Sequence, residues 1–168
     1  MIEKRKTLML VDTQNLYYSL RDLCGVESRL DFLKLREIAC RRSKCTSIDG
    51  SIYLTSIKED LSALVDFLVY NGFNVKELKF KSDIDTQMVV DAVNMADEYR
   101  SVVICSGDSD FYPLITDLKE KGKEVGVISF EQTSSKKSEQ LADWVIHLDS
   151  RILLTSEQKG GTVNANKD

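Results

Sequence analysis

Residues 101–111 read SVVICSGDSDF, an apolar run that stops on a glycine and two aspartates. Five successive residues without a charge (101–105) suit a strand covered on both faces, because a half-exposed strand alternates apolar with polar. Gly107 permits a tight turn, and the apolar spacing beyond it predicts a helix over 110–121 closed by Gly122. A second stretch has the same form. TLMLV (7–11) runs straight into Asp12-Thr13-Gln14-Asn15, with a helix expected over 15–24.

Outward from these two units the pattern repeats. Helices are expected over 32–42, 60–72, 84–98 and 136–142, and strands over 51–57, 73–80, 124–130 and 144–149. Strands that alternate with helices imply crossover connections and a mainly parallel sheet with helices on both faces, which is the α/β class. The 168 residues fit one domain and bury a full core without disulfides or metal staples. Neither an internal repeat nor a linker is visible. The domain is expected over 1–150 and a flexible C-terminal tail over 151–168, most plainly in TSEQKGGTVNANKD (155–168).

Composition excludes several classes. No segment approaches the ~18 consecutive apolar residues of a membrane span, and the apolar run in MIEKRKTLMLVD is too short for a secretory signal. A cytoplasmic protein with no membrane partner is the expectation. The spacing of Cys24, Cys40, Cys45 and Cys105 fits no zinc pattern, and they read as reduced thiols. The net charge of −4 does not advertise a nucleic-acid binder. Basic residues are nevertheless bunched, as at Arg36, Arg41, Arg42 and Lys44, at Lys4 to Lys6, and at Lys136 with Lys137. Neither GxxxxGK[ST] nor GxGxxG occurs, so the phosphate cradles of P-loop and Rossmann proteins are missing. Gln14 stands where a haloacid-dehalogenase-like phosphatase needs a second aspartate, and no GxSxG elbow is present.

In an open α/β sheet, ligands bind beyond the carboxyl ends of the strands, where strand order reverses. The chain puts aspartates at those ends: Asp12 after the first strand, Asp108 and Asp110 after the fourth, and Asp85 on the helix that also carries Asp91. Taken singly, Asp12, Asp85 and Asp108 are explained as helix caps, Asp110 as a first-turn charge and Asp91 as a solvated position. Together they concentrate negative charge, which is costly unless a cation neutralises it. Carboxylate and water oxygens suit Mg²⁺ or Mn²⁺. Asp85 and Asp91, six residues apart, lie about 120° apart on an ideal helix and so do not share a stripe.

At these residues the sequence resembles the NYN domain, the LabA-like branch of the PIN-like nuclease superfamily. The resemblance rests on VDTQNL (11–16), on Lys81 through Asp85 with Asp91, and on CSGDSDF (105–111). LITDL (114–118), KGKEV (121–125) and LAD (141–143) continue it, so that it covers about residues 5–150. Thr13 stands where the family often has glycine. The resemblance implies a PIN-like three-layer α/β/α sandwich with sheet order 3-2-1-4-5, which would make the first and fourth strands neighbours. It further implies that Asn15 orients the first-strand carboxylate or the substrate, that Ser106 supports the turn, and that Lys81 faces phosphate.

The expected activity is hydrolysis of RNA phosphodiester bonds, with Asp12, Asp85, Asp108 and Asp110 catalytic and, with Asp91, holding Mg²⁺ or Mn²⁺. Arg41 and Arg42 are expected to track the RNA backbone beside Lys81, and Tyr17 or Tyr18 to stack on bases. One histidine, His147, disfavours metal-independent acid–base cleavage. The expected partner is RNA, single-stranded or a processed transcript, and a homodimer is left open. Two rivals stand beside this reading: a non-catalytic RNA-binding or protein-interaction module on the same fold, and a small-nucleotide phosphatase.

Overall fold

The apolar run at the start of the chain becomes the middle of a sheet. In the computed structural model, which describes residues 5–154, β1 (Lys6–Asp12) lies between β2 (Ser47–Leu54) and β4 (Ser101–Cys105). The sheet has six strands, all parallel, in the order β3-β2-β1-β4-β5-β6. β3 is Asn74–Glu77, β5 is Glu124–Ser129 and β6 is Trp144–His147. The expected order of five strands holds, and the short strand expected near 144–149 adds itself beside β5.

Handedness decides where the helices go. Three helices connect β1 outward to β3, namely α1 (Thr13–Cys24), α2 (Phe32–Ser43) and α3 (Ser62–Tyr70). Right-handed crossovers in one direction put all three on one face. There Leu16, Leu20, Phe32, Leu35, Ala39 and Leu68 pack on Met9 and Val11. The chain then jumps from β3 back over the sheet to β4, which places α4 (Lys81–Met95) and α5 (Tyr112–Glu120) on the other face. Ile84, Met88, Ala92, Leu114, Ile115 and Leu118 pack there on Leu8 and Leu10. The alternation along β1 divides its side chains between two cores, so both faces must be apolar. α6 (Lys136–Leu141) connects β5 to β6.

Several boundaries differ from the sequence reading. α4 begins at Lys81, after an N-cap residue, Phe80, whose side chain makes no capping bond. Asp85 is therefore not a cap but the fifth residue of the helix. The strand expected over 51–57 starts earlier and ends at Leu54, and the expected strand 73–80 shortens to Asn74–Glu77. A 3₁₀ turn (Ser109–Phe111) separates Asp108 from α5, whose Pro113 sits where a missing N–H costs nothing.

Residues 151–154, expected to start the tail, are docked on the domain. Ile152 is buried, its carbonyl accepts from the Asp31 N–H, and Leu153 bridges Leu30 antiparallel. The tail expected over 155–168 lies outside the described residues. No helix among those described is long and apolar enough to cross a membrane.

Candidate metal centre

β1 and β4 end side by side, at the point where the chain reverses its direction of travel across the sheet. Asp12, the last residue of β1, is 4 % exposed. One of its oxygens accepts from the Asn15 N–H (3.1 Å) and caps α1; the other accepts from Ser106 Oγ (3.2 Å). The Ser106 hydroxyl accepts in turn from the Asp108 N–H (3.2 Å), so it spans the gap between the two strand ends. Asp108 caps the 3₁₀ turn through the Asp110 N–H (2.9 Å). A carboxylate has about four lone-pair sites, and one capping bond leaves most of them free. Capping and metal ligation are compatible at these residues.

The turn itself is clamped. Asn15 Oδ1 accepts from the Gly107 N–H (2.9 Å), and the Gly107 carbonyl accepts from the Ser135 N–H (3.0 Å). A side chain at 107 would place its Cβ 2.4 Å from the Thr133 carbonyl oxygen, inside any real contact distance, so glycine is required there. Ser19 of α1 and Thr133 share a hydroxyl bond of 2.7 Å that holds the same segment from behind.

From α4, Asp85 reaches over this turn. Oxygens of Asp85, Asp108 and Asp110 lie within 4.8 Å of one another. Burial pushes the Asp85 carboxyl up to about 7, and the charges of Asp12, Asp108 and Asp110 add to the push. Burial also raises the Asp12 carboxyl, against the bonds from Asn15 and Ser106. Such density of uncompensated carboxylate oxygen is a donor set for a hard divalent cation, and the residues present fit Mg²⁺ or Mn²⁺. Asp12 is outside this trio and acts electrostatically on Asp85 and Asp108. The neighbouring Thr13 hydroxyl is buried and has no hydrogen-bond partner among the described residues.

Asp91 is not brought into the group. Its carboxylate accepts from the Tyr53 hydroxyl (2.6 Å), from Lys76 Nζ (2.6 Å) and from Gln87 Nε2 (2.8 Å). Burial raises its pKa, but these three donors outweigh burial and leave it below the ordinary carboxylate range. The reason is the angular offset from Asp85, which turns Asp91 toward β2 and β3. Nothing in the sequence pointed to Tyr53 and Lys76 as its partners, since their register with Asp91 depends on the sheet order.

Arg41 and Arg42 are also elsewhere. α2 leads into β2, so its last turn lies where the strands begin, about 20 Å from Asp12 for a seven-residue β1 at ~3.3 Å per residue. Arg41 pairs with Glu37 on the surface of α2, and the Arg42 guanidinium lies 5.3 Å from the centre of the Trp144 ring. Lys81 stands over the exposed Tyr18 ring at 4.4 Å and acts electrostatically on Asp12. At the start of α6, Lys137 stands over the Tyr112 ring at 4.0 Å, a pair that sequence spacing did not suggest. Tyr17 is largely covered, packing on Phe32 at 6.4 Å and beneath Arg21.

A doubly wound parallel sheet with carboxylates gathered at its switch point defines the class, an α/β sandwich with a candidate cation site at the strand ends. The chain matches the NYN domain family over residues 6–149 and belongs to it; NYN domains are part of the PIN-like superfamily, whose fold is nuclease-like. An uncharacterized protein of Methanocaldococcus jannaschii is 29% identical over 134 residues, which cover 79% of this chain and 53% of that protein. The chain thus spans about half the length of this curated relative. A crystal structure of a protein of unknown function from Vibrio parahaemolyticus superposes with a TM-score of 0.78 at 24% identity, covering 92% of this chain and 100% of that one. That likeness bears on the fold.

Proposed function

We propose that the protein is a divalent-metal-dependent ribonuclease that hydrolyses RNA phosphodiester bonds at the Asp12, Asp85, Asp108 and Asp110 cluster. The carrying observation is the convergence of Asp85, Asp108 and Asp110 from two separate segments onto one point beyond the strand ends. Asp85, Asp108 and Asp110 would hold Mg²⁺ or Mn²⁺, with Asp12 acting electrostatically on Asp85 and Asp108. When bound there, such a cation would supply a more acidic water and would neutralise charge developing on the scissile phosphate.

The chain's own groups do the rest. Ser106 and Asn15 are positioning residues: the first bridges Asp12 to the Asp108 backbone, and the second fixes the Gly107 turn. The N-terminus of the twelve-residue α1, immediately beyond Asp12, adds favourable potential for phosphate. Lys81 and Lys137 would be partners for neighbouring phosphates. Tyr18, 57 % exposed under Lys81, offers a face to an unpaired base, which favours single-stranded RNA. His147 is engaged with Glu139 at 2.5 Å and leaves no histidine pair for metal-free cleavage.

The test is incubation of the purified protein with single-stranded and structured RNA in Mg²⁺, Mn²⁺ or EDTA, beside Asp108→Asn. Asparagine keeps an oxygen to cap the turn and loses the charge. Cleavage should vanish in EDTA and fall by roughly 10²-fold or more in the variant. Cleavage indifferent to both would sink the reading. Tight RNA binding without cleavage would make this a binding module, and turnover of mononucleotides alone a phosphatase.

A further inference from the structure

The end of the sheet opposite the carboxylates carries the other charge. The segments that lead into β1, β2, β4, β5 and β6 converge there on an open hollow of about 570 Å³. Five cations line it: Arg5, Arg42, Lys44, Arg100 and Lys123. The two acids in the lining are already engaged. Glu124 accepts from Trp144 Nε1 (3.0 Å), and Asp143 is held by Lys119 Nζ (2.7 Å) and the Val125 N–H (2.8 Å). Arg5, Arg42 and Lys44 have no ion-pair partner among the described residues, and Lys123 donates to the Tyr99 carbonyl (2.9 Å).

Helix ends explain part of this. Cations near the last turn of α2 complement its dipole. They do not explain Arg5 and Lys123, which precede strands and come from two other segments. In a chain of net charge −4, such convergence concentrates positive potential on one surface. Small-molecule sites of this volume are lined mostly by apolar groups, whereas this one is cationic. Its aromatic residue, Trp144, is 6 % exposed beneath Arg42 and cannot stack on a base. The lining suits phosphates and offers no open aromatic face to a nucleobase.

We propose that this hollow holds the phosphate backbone of an RNA whose other part lies in the acidic cleft. The inference rests on the RNA reading of that cleft. The two regions are separated by the length of β1, about 20 Å, or at least about six nucleotides at a stacked rise of ~3.4 Å. Short RNA fills the cleft alone; longer RNA reaches both.

Binding of fluorescent RNAs of three, six, twelve and twenty nucleotides, measured across a salt series with Ca²⁺ supplied in place of Mg²⁺, tests this without requiring cleavage. The variants are Arg42→Gln with Lys44→Gln, and separately Arg5→Gln with Lys123→Gln, each checked for folding by circular dichroism. Each pair should weaken binding of the longer RNAs about tenfold, with a loss that grows beyond six nucleotides. The slope of log K against log salt should fall by about 1.4, at ~0.7 per single-strand phosphate contact. Unchanged affinity and slope in both folded pairs would overturn the inference, as would an equal loss at all lengths. Inorganic triphosphate and a nucleoside monophosphate serve as competitors. If either binds and loses its site in the variants while long RNA does not, the hollow is a small-anion site and the inference falls. RNA held through the hollow but never cut would instead remove the nuclease reading and leave this one standing.

Discussion

Asp85 is the residue at which stability and proposed function pull apart. Burial first, then the charges of Asp12, Asp108 and Asp110, push its carboxyl up to about 7. A folded pKa above the unfolded value penalises the ionised form, so the cation-free protein loses stability as pH rises from about 4 to about 7. Because Asp85 is partly exposed, the effect is discounted to about 1–2 kcal/mol. Asp85→Asn should raise the melting temperature in EDTA at pH 7.5 and abolish the further rise that Mg²⁺ or Mn²⁺ gives the native protein. A variant melting lower than the native chain in EDTA would contradict this. Asp91 behaves oppositely. Its depressed pKa gives stability that is present above about 4 and is lost on acidification below it. Asp91→Asn weakens the bond to Lys76 and should cost about 2 kcal/mol in urea denaturation at pH 7, yet leave cation binding in place. Loss of cation binding in a folded Asp91→Asn protein would return Asp91 to the site.

At the scale of elements, legibility followed the strength of local signals. The buried strands 7–11 and 101–105 were plain because two-sided burial leaves uninterrupted apolar runs, and their ends pointed to Asp12, Asp108 and Asp110. The start of α4 was misread because Phe80 supplies no capping side chain, so nothing local marked the boundary. Arg41 and Arg42 were misplaced for a different reason: clustering along a helix says nothing about which end of the sheet that helix finishes at. Asp91 was grouped by type, and its donors come from β2 and α4 and from a strand edge that only the pairing reveals. Gly107 was read as permitting a tight turn, and what requires glycine there is the close approach of the Thr133 backbone. Gly107→Ala forces a 2.4 Å approach to the Thr133 carbonyl and should cost about 1–3 kcal/mol. It should also weaken Mn²⁺ binding by calorimetry, since Asp108 follows directly. A variant with native melting and native Mn²⁺ affinity would show that the clamp is not needed.

For the whole molecule, the domain ends later than composition suggested. Ile152 is 2 % exposed, and the 151–154 segment is tied to the α1–α2 connection through Ile152 with Asp31 and Leu154 with Arg29. A chain ending at Asp149 should be about 2–3 kcal/mol less stable than one ending at Leu154, from the lost burial of one isoleucine and its backbone bonds. Equal denaturation midpoints would show that the docking contributes nothing. The seam between β1 and β4 has a consequence on a slower clock. The Gly107 amide is bonded to a side chain of α1, in a turn that Ser135 and Thr133 hold from the other side. Such an amide exchanges its hydrogen with water only when its bond to Asn15 opens. Its exchange rate therefore reports how often the turn that carries Asp108 comes away from α1, and a cation that holds Asp108 in place should slow it.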